Sequence, residues 1–515
     1  MLTTLKSRIG LNPIKWLAGT RRLREQLRHF DAGPLPPPGA RHFAIVVTPW
    51  LGTWIPWYSL AVGLLLGRNG NAVSFLLDTF PFGNNPARHR FVLACLRAVL
   101  RCVPARFAVI DLGRHRGGKD LDASAQAAIA ELARLNAVWE MRGEMNAAGR
   151  QAFTAQCVRQ LGAAHNAIAA QMRRGAYDMV FVPGGVFGSS GLWARYAAAA
   201  GIRLGSYDTG GYGTVMVACQ GVACQLQDIP AAVALLQTNA GAGELAFAVA
   251  SAQAEMARRR AGVDTFESQV KGGGGGDSRY DGAVLLALNS SWDSAALGLH
   301  AVFSDNTQWI VQTTRELLDH TQAAVIVRQH PAERLDIART SDDYAALLQQ
   351  HFGAHPRLHF IAAAEPVNSY ELFNRVAAVV VYTSTIGIEA AAHGLPVITA
   401  SKSYYAGMGF VWQANSLAQY QGLLRQAAGG QLQVSAAMRE AAHLCYYMTQ
   451  CCNWVFSPFN PADFEQWSRL GLTQLHADAT VQGLLKCLQD GIPVAYLNHL
   501  GALAKRDAAR APMAA

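Results

Sequence analysis

The chain has 515 residues but no C-x-x-C pair among its nine scattered cysteines (Cys95, Cys102, Cys157, Cys219, Cys224, Cys445, Cys451, Cys452 and Cys487). That argues against a zinc ribbon or a dithiol redox centre, and a reducing cytosol suits the odd count. A secretory signal is missing too, because the basic start is not followed by a compact apolar segment and a small-residue cleavage site. No uninterrupted membrane span is present. The run Phe43 to Gly67 carries no charge, but Pro49, Gly52 and Pro56 break it into a strand, a loop and a helix. Acidic metal motifs are scarce, since the single D-x-D string, Asp120 to Asp122, precedes an Ala-rich helix and suits its cap. The formal charge of +9 gathers on no nucleic-acid recognition element, so no nucleic-acid partner is expected.

What is present begins with length, which implies two or three domains, each with its own core. Residues 1–40 hold most of eight Lys and Arg residues found up to Arg41, interleaved with Leu5, Ile9, Leu11, Ile14, Trp16, Leu17, Leu23, Leu27 and Phe30. This pattern is that of a basic amphipathic helix, or two split near Pro13, lying on an anionic membrane surface; a helix packed on its own domain fits equally well.

Residues 41–265 then alternate apolar strands with helices, as a parallel sheet requires. The expected strands are Phe43–Val47, Asn71–Leu77, Phe107–Leu112, Asp178–Val182 and Arg203–Tyr207, with long Ala-rich helices over Leu121–Glu140 and Gln151–Arg174. Ligands of such sheets bind beyond the carboxyl ends of the strands, here the loops after Val47, Leu77, Val182 and Tyr207. The Gly272–Gly276 run marks a linker over 266–280. A second series fills 281–430, with strands at Ala283–Leu288, Ala323–Val327, Leu358–Ile361, Val379–Tyr382 and Pro396–Thr399. Residues 431–515 are assigned to C-terminal helices free to cross back to the first domain. The expected fold class is therefore α/β, with two doubly wound, Rossmann-like domains facing a cleft.

Three loops of the second series carry phosphate-binding chemistry. In VVVYTSTIGIEAAAHGLPVIT (Val379 to Thr399), Ser384 and Thr385 meet a helix N-terminus, Gly387 permits close backbone approach, and Glu389 stands one turn in, placed to accept from ribose hydroxyls. In AVIVRQHPAE (Ala324 to Glu333), a buried strand delivers Arg328 and His330 to its carboxyl end; Arg can fork onto phosphate, and His can donate to it or protonate it on departure. The NSSWD loop adds Ser290 and Ser291. Such a site needs no bridging metal and no cofactor. In the first series, Asp208 ends a strand beside two glycines and is a candidate base or nucleophile, or a turn residue. Trp50, Trp54, Trp57 and Tyr58 could stack on an acceptor glycan or belong to the core.

The R-x-H-P loop, the S-T pair, the segment Pro366–Leu372, the G-x-E-A-A helix and the loop Ser403–Phe410 together resemble the capsule polysaccharide biosynthesis family, which includes Kdo transferases, over about Ala283 to Phe410. Similar HP and S-S/T motifs occur in bacterial sialyltransferases. The resemblance implies a GT-B glycosyltransferase in which His330, Ser384 and Thr385 hold the phosphate of a nucleotide-sugar donor, preferably CMP-linked, for transfer to a glycan or lipid-linked acceptor at the inner membrane face. Ser206 to Ala223 is similar to a further family segment, with Asp208 at its acidic position and Ala218 and Cys219 where an aspartate is expected. Two alternatives stay open: a CDP-alditol phosphotransferase, and a non-catalytic nucleotide- or glycan-binding protein of polysaccharide export.

Overall fold

The computed structural model describes residues 10–50, 53–81, 85–114, 121–210, 213–263, 277–293 and 296–510. The five glycines of the expected linker and Asp120 of the D-x-D string lie outside these residues. The chain forms two compact units. The first comprises Met1–Asn136, Phe153–Asp228 and Trp454–Leu497; the second comprises Ala137–Ala152, Ile229–Asn453 and Asn498–Ala515.

In the first unit the strands are β1 (His42–Val47), β2 (Ala72–Leu77), β3 (Ala108–Asp111), β4 (Met179–Pro183), β5 (Arg203–Thr209) and β6 (Thr214–Ala218). In the second they are β7 (Val284–Ala287), β8 (Val325–Arg328), β9 (Leu358–Ile361), β10 (Ala378–Val381), β11 (Val397–Thr399) and β12 (Trp412–Gln413). A last strand, β13 (Val455–Phe456), returns to the first sheet, whose order is β13-β6-β5-β4-β1-β2-β3. The second sheet has the order β12-β11-β10-β7-β8-β9. In both, the first three strands wind outward one way and the fourth returns beside the first, the doubly wound pattern with a switch point between strands one and four. β1, β4, β7 and β10 are buried along nearly their whole length, which is why each reads as a continuous Val, Ile and Leu run instead of alternating.

The first sheet departs from expectation at one edge. β6 pairs antiparallel with β5 (Ser206 opposite Ala218), and β13 antiparallel with β6. Neither was marked by a strand signal, because β6 follows a Gly-rich turn and β13 is two residues long.

Two first-unit expectations resolve in favour of packing. The described helix begins at Pro13 (Pro13–Arg28), capped by Asn12 accepting from the Ile14 and Lys15 amides, while Leu5 and Ile9 lie outside the described residues. Its apolar face, Trp16, Leu23 and Leu27, is buried in the core, so what it leaves exposed is Ile14 and Leu17 among cations. The aromatic loop is also core: Trp54 stacks on Trp16 at 4.9 Å and on Phe464 at 4.8 Å, while Trp57 and Tyr58 are fully buried. These rings are therefore unavailable for stacking on a glycan. Among the described residues, no helix is long and apolar enough to cross a membrane.

Candidate functional site

The second sheet brings β10, β7 and β8 side by side, so the loops after them converge at the switch point between β7 and β10. Asn289, just after β7, ties the two loops together by accepting a hydrogen bond from the Thr383 amide at 3.1 Å. Thr383 Oγ1 is buried without a hydrogen-bond partner, an uncommon state for a hydroxyl unless a ligand or water completes it. Ser384 is buried and its carbonyl accepts from the Tyr405 hydroxyl at 2.7 Å. Thr385 is half-buried and serves as N-cap of the helix Ile386–His393 with no side-chain cap bond, which leaves the positive helix end open to an anion. A Cβ on Gly387 would lie 3.0 Å from the Tyr405 hydroxyl and 3.0 Å from Val381, so glycine is what lets this helix seat against β10.

His330 follows β8. Its Nδ1 accepts from the Ala332 amide at 3.2 Å, and burial, reinforced by the Arg328 charge, lowers it to about 4. The ring is therefore neutral near pH 7, with its proton on Nε2: a hydrogen-bond donor in the ligand-free protein and an acid only once a phosphate dianion raises its pKa.

The other expected ligands are engaged elsewhere. Arg328 is 2% exposed and donates to the Ala362 carbonyl and, at 3.1 Å, to that of Val367. Burial lowers it to about 10, and its charge holds the loop after β9 instead of forking outward. Glu389 is buried and takes Arg259 Nη1 at 2.9 Å. Burial alone would lower the Arg259 pKa, but Glu389 pushes it up, so the pair is a charged internal tie and not a ribose acceptor. Ser290 donates to the Ala338 carbonyl at 3.1 Å, and Ser291 to Asp342 at 2.7 Å. The structure thus sets Ser384 and Thr385 beyond β10 and His330 beyond β8, on either side of β7 in one sheet, while Arg328, Glu389, Ser290, Ser291 and Gly387 build the walls.

Two features of this unit carried no sequence signal. Glu333, 2% exposed, accepts from Gln329 at 2.8 Å and has its other oxygen buried without a partner; burial raises it to about 7. The segment Ala137–Ala152 is seated on the loop after β7. Asp342, which holds Ser291, also accepts from the Glu144 amide at 2.9 Å and the Met145 amide at 2.8 Å. Glu144 in turn caps the helix Asn306–His320 through the Asn306 amide at 2.8 Å, and burial, with Asp305 and Asp342 nearby, raises it to about 7. Arg142 adopts a left-handed φ of 57°, its carbonyl held by Thr340 and Ser341 and its guanidinium 4.0 Å over the Trp292 ring. Among the described residues, no group of three or more His, Cys, Asp or Glu gathers to hold a metal ion.

In the first unit, Asp208 lies half-buried at the end of β5, accepting from the Thr209 amide at 2.7 Å. At the altered Ala218-Cys219 segment, a buried Asp228 accepts from the Cys219 and Gln220 amides.

Residues 280–448 match the family model for capsule polysaccharide biosynthesis proteins. The recognition made from the motifs holds over that segment, and the chain carries a domain of this kind there. No curated protein matches the chain significantly. Among solved structures, KpsC of Thermosulfurimonas dismutans, a beta-Kdo 2,4-transferase, is similar at 16% identity over 52% of this chain and 79% of its own, with a TM-score of 0.35. Its beta-Kdo 2,7-transferase counterpart is 13% identical over 54% of this chain and 79% of its own, at 0.30. A UDP complex of MnaA from S. aureus is 12% identical over 79% of this chain and 91% of its own, at 0.26. TM-scores this low establish neither fold nor activity, so the family match is the comparison with weight.

Proposed function

We propose that this protein is a glycosyltransferase of capsule or other surface polysaccharide biosynthesis, which takes a sugar from a nucleotide donor, preferably CMP-linked, and passes it to a glycan or lipid-linked acceptor. The observation that carries the reading is the junction at β7, β8 and β10, where the His330 donor, the Thr383, Ser384 and Thr385 hydroxyls and an open helix N-terminus converge within a domain of the capsule type. In this reading the phosphate sits against the helix end and His330 Nε2. As the sugar–phosphate bond breaks, charge accumulates on the leaving phosphate, and those donors stabilise it without a bridging cation. The neutral His330 ring acts here as a hydrogen-bond donor through Nε2; it can protonate the phosphate only after taking up a second proton from solvent at Nδ1, which the growing dianion favours by raising its pKa. Asp208 is the group proposed for the acceptor side. The work is assigned to the cytoplasmic face of the membrane, and Kdo or a related acidic sugar is the proposed cargo.

Calorimetric titration with CMP, CDP, UDP and GDP tests the donor site. CMP should bind best, and His330→Ala and Ser384→Ala should each weaken it by about tenfold or more. Preference for another nucleotide would remove the CMP-linked donor, and no binding at all would remove the transferase reading.

A further inference from the structure

The second unit holds a groove of about 1020 Å³ away from the nucleotide loops, between the helix Ala242–Arg260, the helix Ala436–Tyr446 and the last turn of the helix Ile386–His393. The groove borders the whole of the first helix from Ala242 to Arg260, a length of about 27 Å at 1.5 Å per residue. Its two ends differ in chemistry. Leu245, Ala246, Val249, Ala250 and Met256 line the long part. At the other end stand Arg260, Arg439, His393 and His443, with Glu440 as the one acid among the lining residues.

The basic end is built for an anion. Arg260 and Arg439 are exposed and, among the described residues, neither forms a salt bridge. Arg260 approaches His393 Nδ1 at 3.4 Å, which directs the neutral His393 ring to present its Nε2 proton. His443 Nδ1 donates to the Arg439 carbonyl at 2.7 Å. Both rings have lowered pKa values, through burial first and the neighbouring arginines second, and a bound anion would relieve the second cause. Two guanidiniums and two imidazoles around one end match a phosphate, which Arg binds by forked hydrogen bonds. An apolar channel leading away from such a group matches an alkyl chain, each buried methylene of which stabilises the complex.

We propose that this groove binds a phosphorylated single-chain or anchored lipid, the chain along the helix Ala242–Arg260 and the phosphate between Arg260 and Arg439. The proposal does not rest on the transferase reading, because none of these residues belongs to the nucleotide loops. It gives the chain a contact with lipid through its second unit and not through the N-terminal helix, whose apolar face is already buried.

The test is calorimetric titration of the full chain with dodecyl phosphate below its micelle concentration, alongside dodecyl maltoside and inorganic phosphate. Dodecyl phosphate should bind at least about tenfold more tightly than either comparator, since only it offers both halves. The double variant Arg260→Gln, Arg439→Gln should weaken it about tenfold or more. Ala250→Trp, on an exposed face where a large ring disturbs no core, should block the channel and abolish it. Urea denaturation of each variant reports whether the fold of the unit is intact. Equal binding of dodecyl maltoside would overturn the phosphate end. Inorganic phosphate binding as tightly as dodecyl phosphate would overturn the lipid, and wild-type affinity in both variants would place any binding elsewhere.

Discussion

The two sheets share one winding order, yet they treat their carboxyl ends differently. In the second, the switch point between β7 and β10 carries hydroxyls, an open helix end and a neutral histidine. In the first, several described polar side chains at the corresponding ends are tied to protein groups. Asp78 after β2 is fully buried and receives the Trp193 indole at 3.0 Å, and the Tyr207 hydroxyl of β5 donates to the Ile55 carbonyl at 2.8 Å. Asp208, at the end of β5, is half-buried, as are Trp50, Thr79 and Asp111. The same topology therefore carries a partnerless buried hydroxyl and an uncapped helix end in one unit, and polar groups tied to protein in the other. A fold of this class supplies the place for a site but not its chemistry.

The proposed function places nucleotide binding in the second unit and bond-making at Asp208 in the first, and that division can be broken. Asp208→Asn should lower turnover by about 10²–10⁴, the range for a lost general base, while CMP affinity stays at the wild-type value. If affinity falls in step with turnover, the division between units is wrong. Next in size, Arg259→Ala should destabilise the second unit by about 3–5 kcal/mol, because Glu389 is left buried and unpaired. Urea denaturation followed by two probes, one per unit, reads this, and the first unit's transition should not move.

Acidity sharpens the same comparison. Glu144 and Glu333 are raised from 4.5 to about 7, so each holds its proton more tightly folded than unfolded. Their contribution is intact below the unfolded value and is lost as pH rises from 4.5 through about 7. The second unit's thermal midpoint should accordingly fall across that window, and Glu144→Gln with Glu333→Gln should flatten the fall. The smallest effect is expected at Gly387→Ala, where Tyr405 and Val381 must each yield a few tenths of an ångström. A cost of about 1–3 kcal/mol is expected for such overpacking, with CMP affinity reduced as the helix end shifts off β10.

Much of the fold could be read directly. Every long parallel strand fell where an apolar run ended in a turn or a Gly or Pro signal, because a strand buried on both faces needs little but β-branched and aliphatic residues. The HP and S-T loops were legible for the same reason, each lying immediately beyond such a run. The Trp-rich loop stayed open to two readings, since the composition that suits a stacking platform also suits a core, and only the Trp16, Trp54 and Phe464 contacts separate the two. β6 and β13 were missed because short antiparallel edge strands leave little pattern.

Sequence by itself determined the two α/β series, the polar loops beyond their strands and the kinship of residues 280–448 with capsule biosynthesis. Tertiary structure alone decided which of the polar side chains remain available to a ligand. Glu389 finds Arg259 across 130 residues of chain, Asp342 binds amides 197 and 198 residues away, and Arg328 turns to carbonyls of the next loop but one. The physical reason is that strand and helix signals are local, set by periodicity over a few residues, whereas a buried charge must be met by whatever group the completed fold brings beside it.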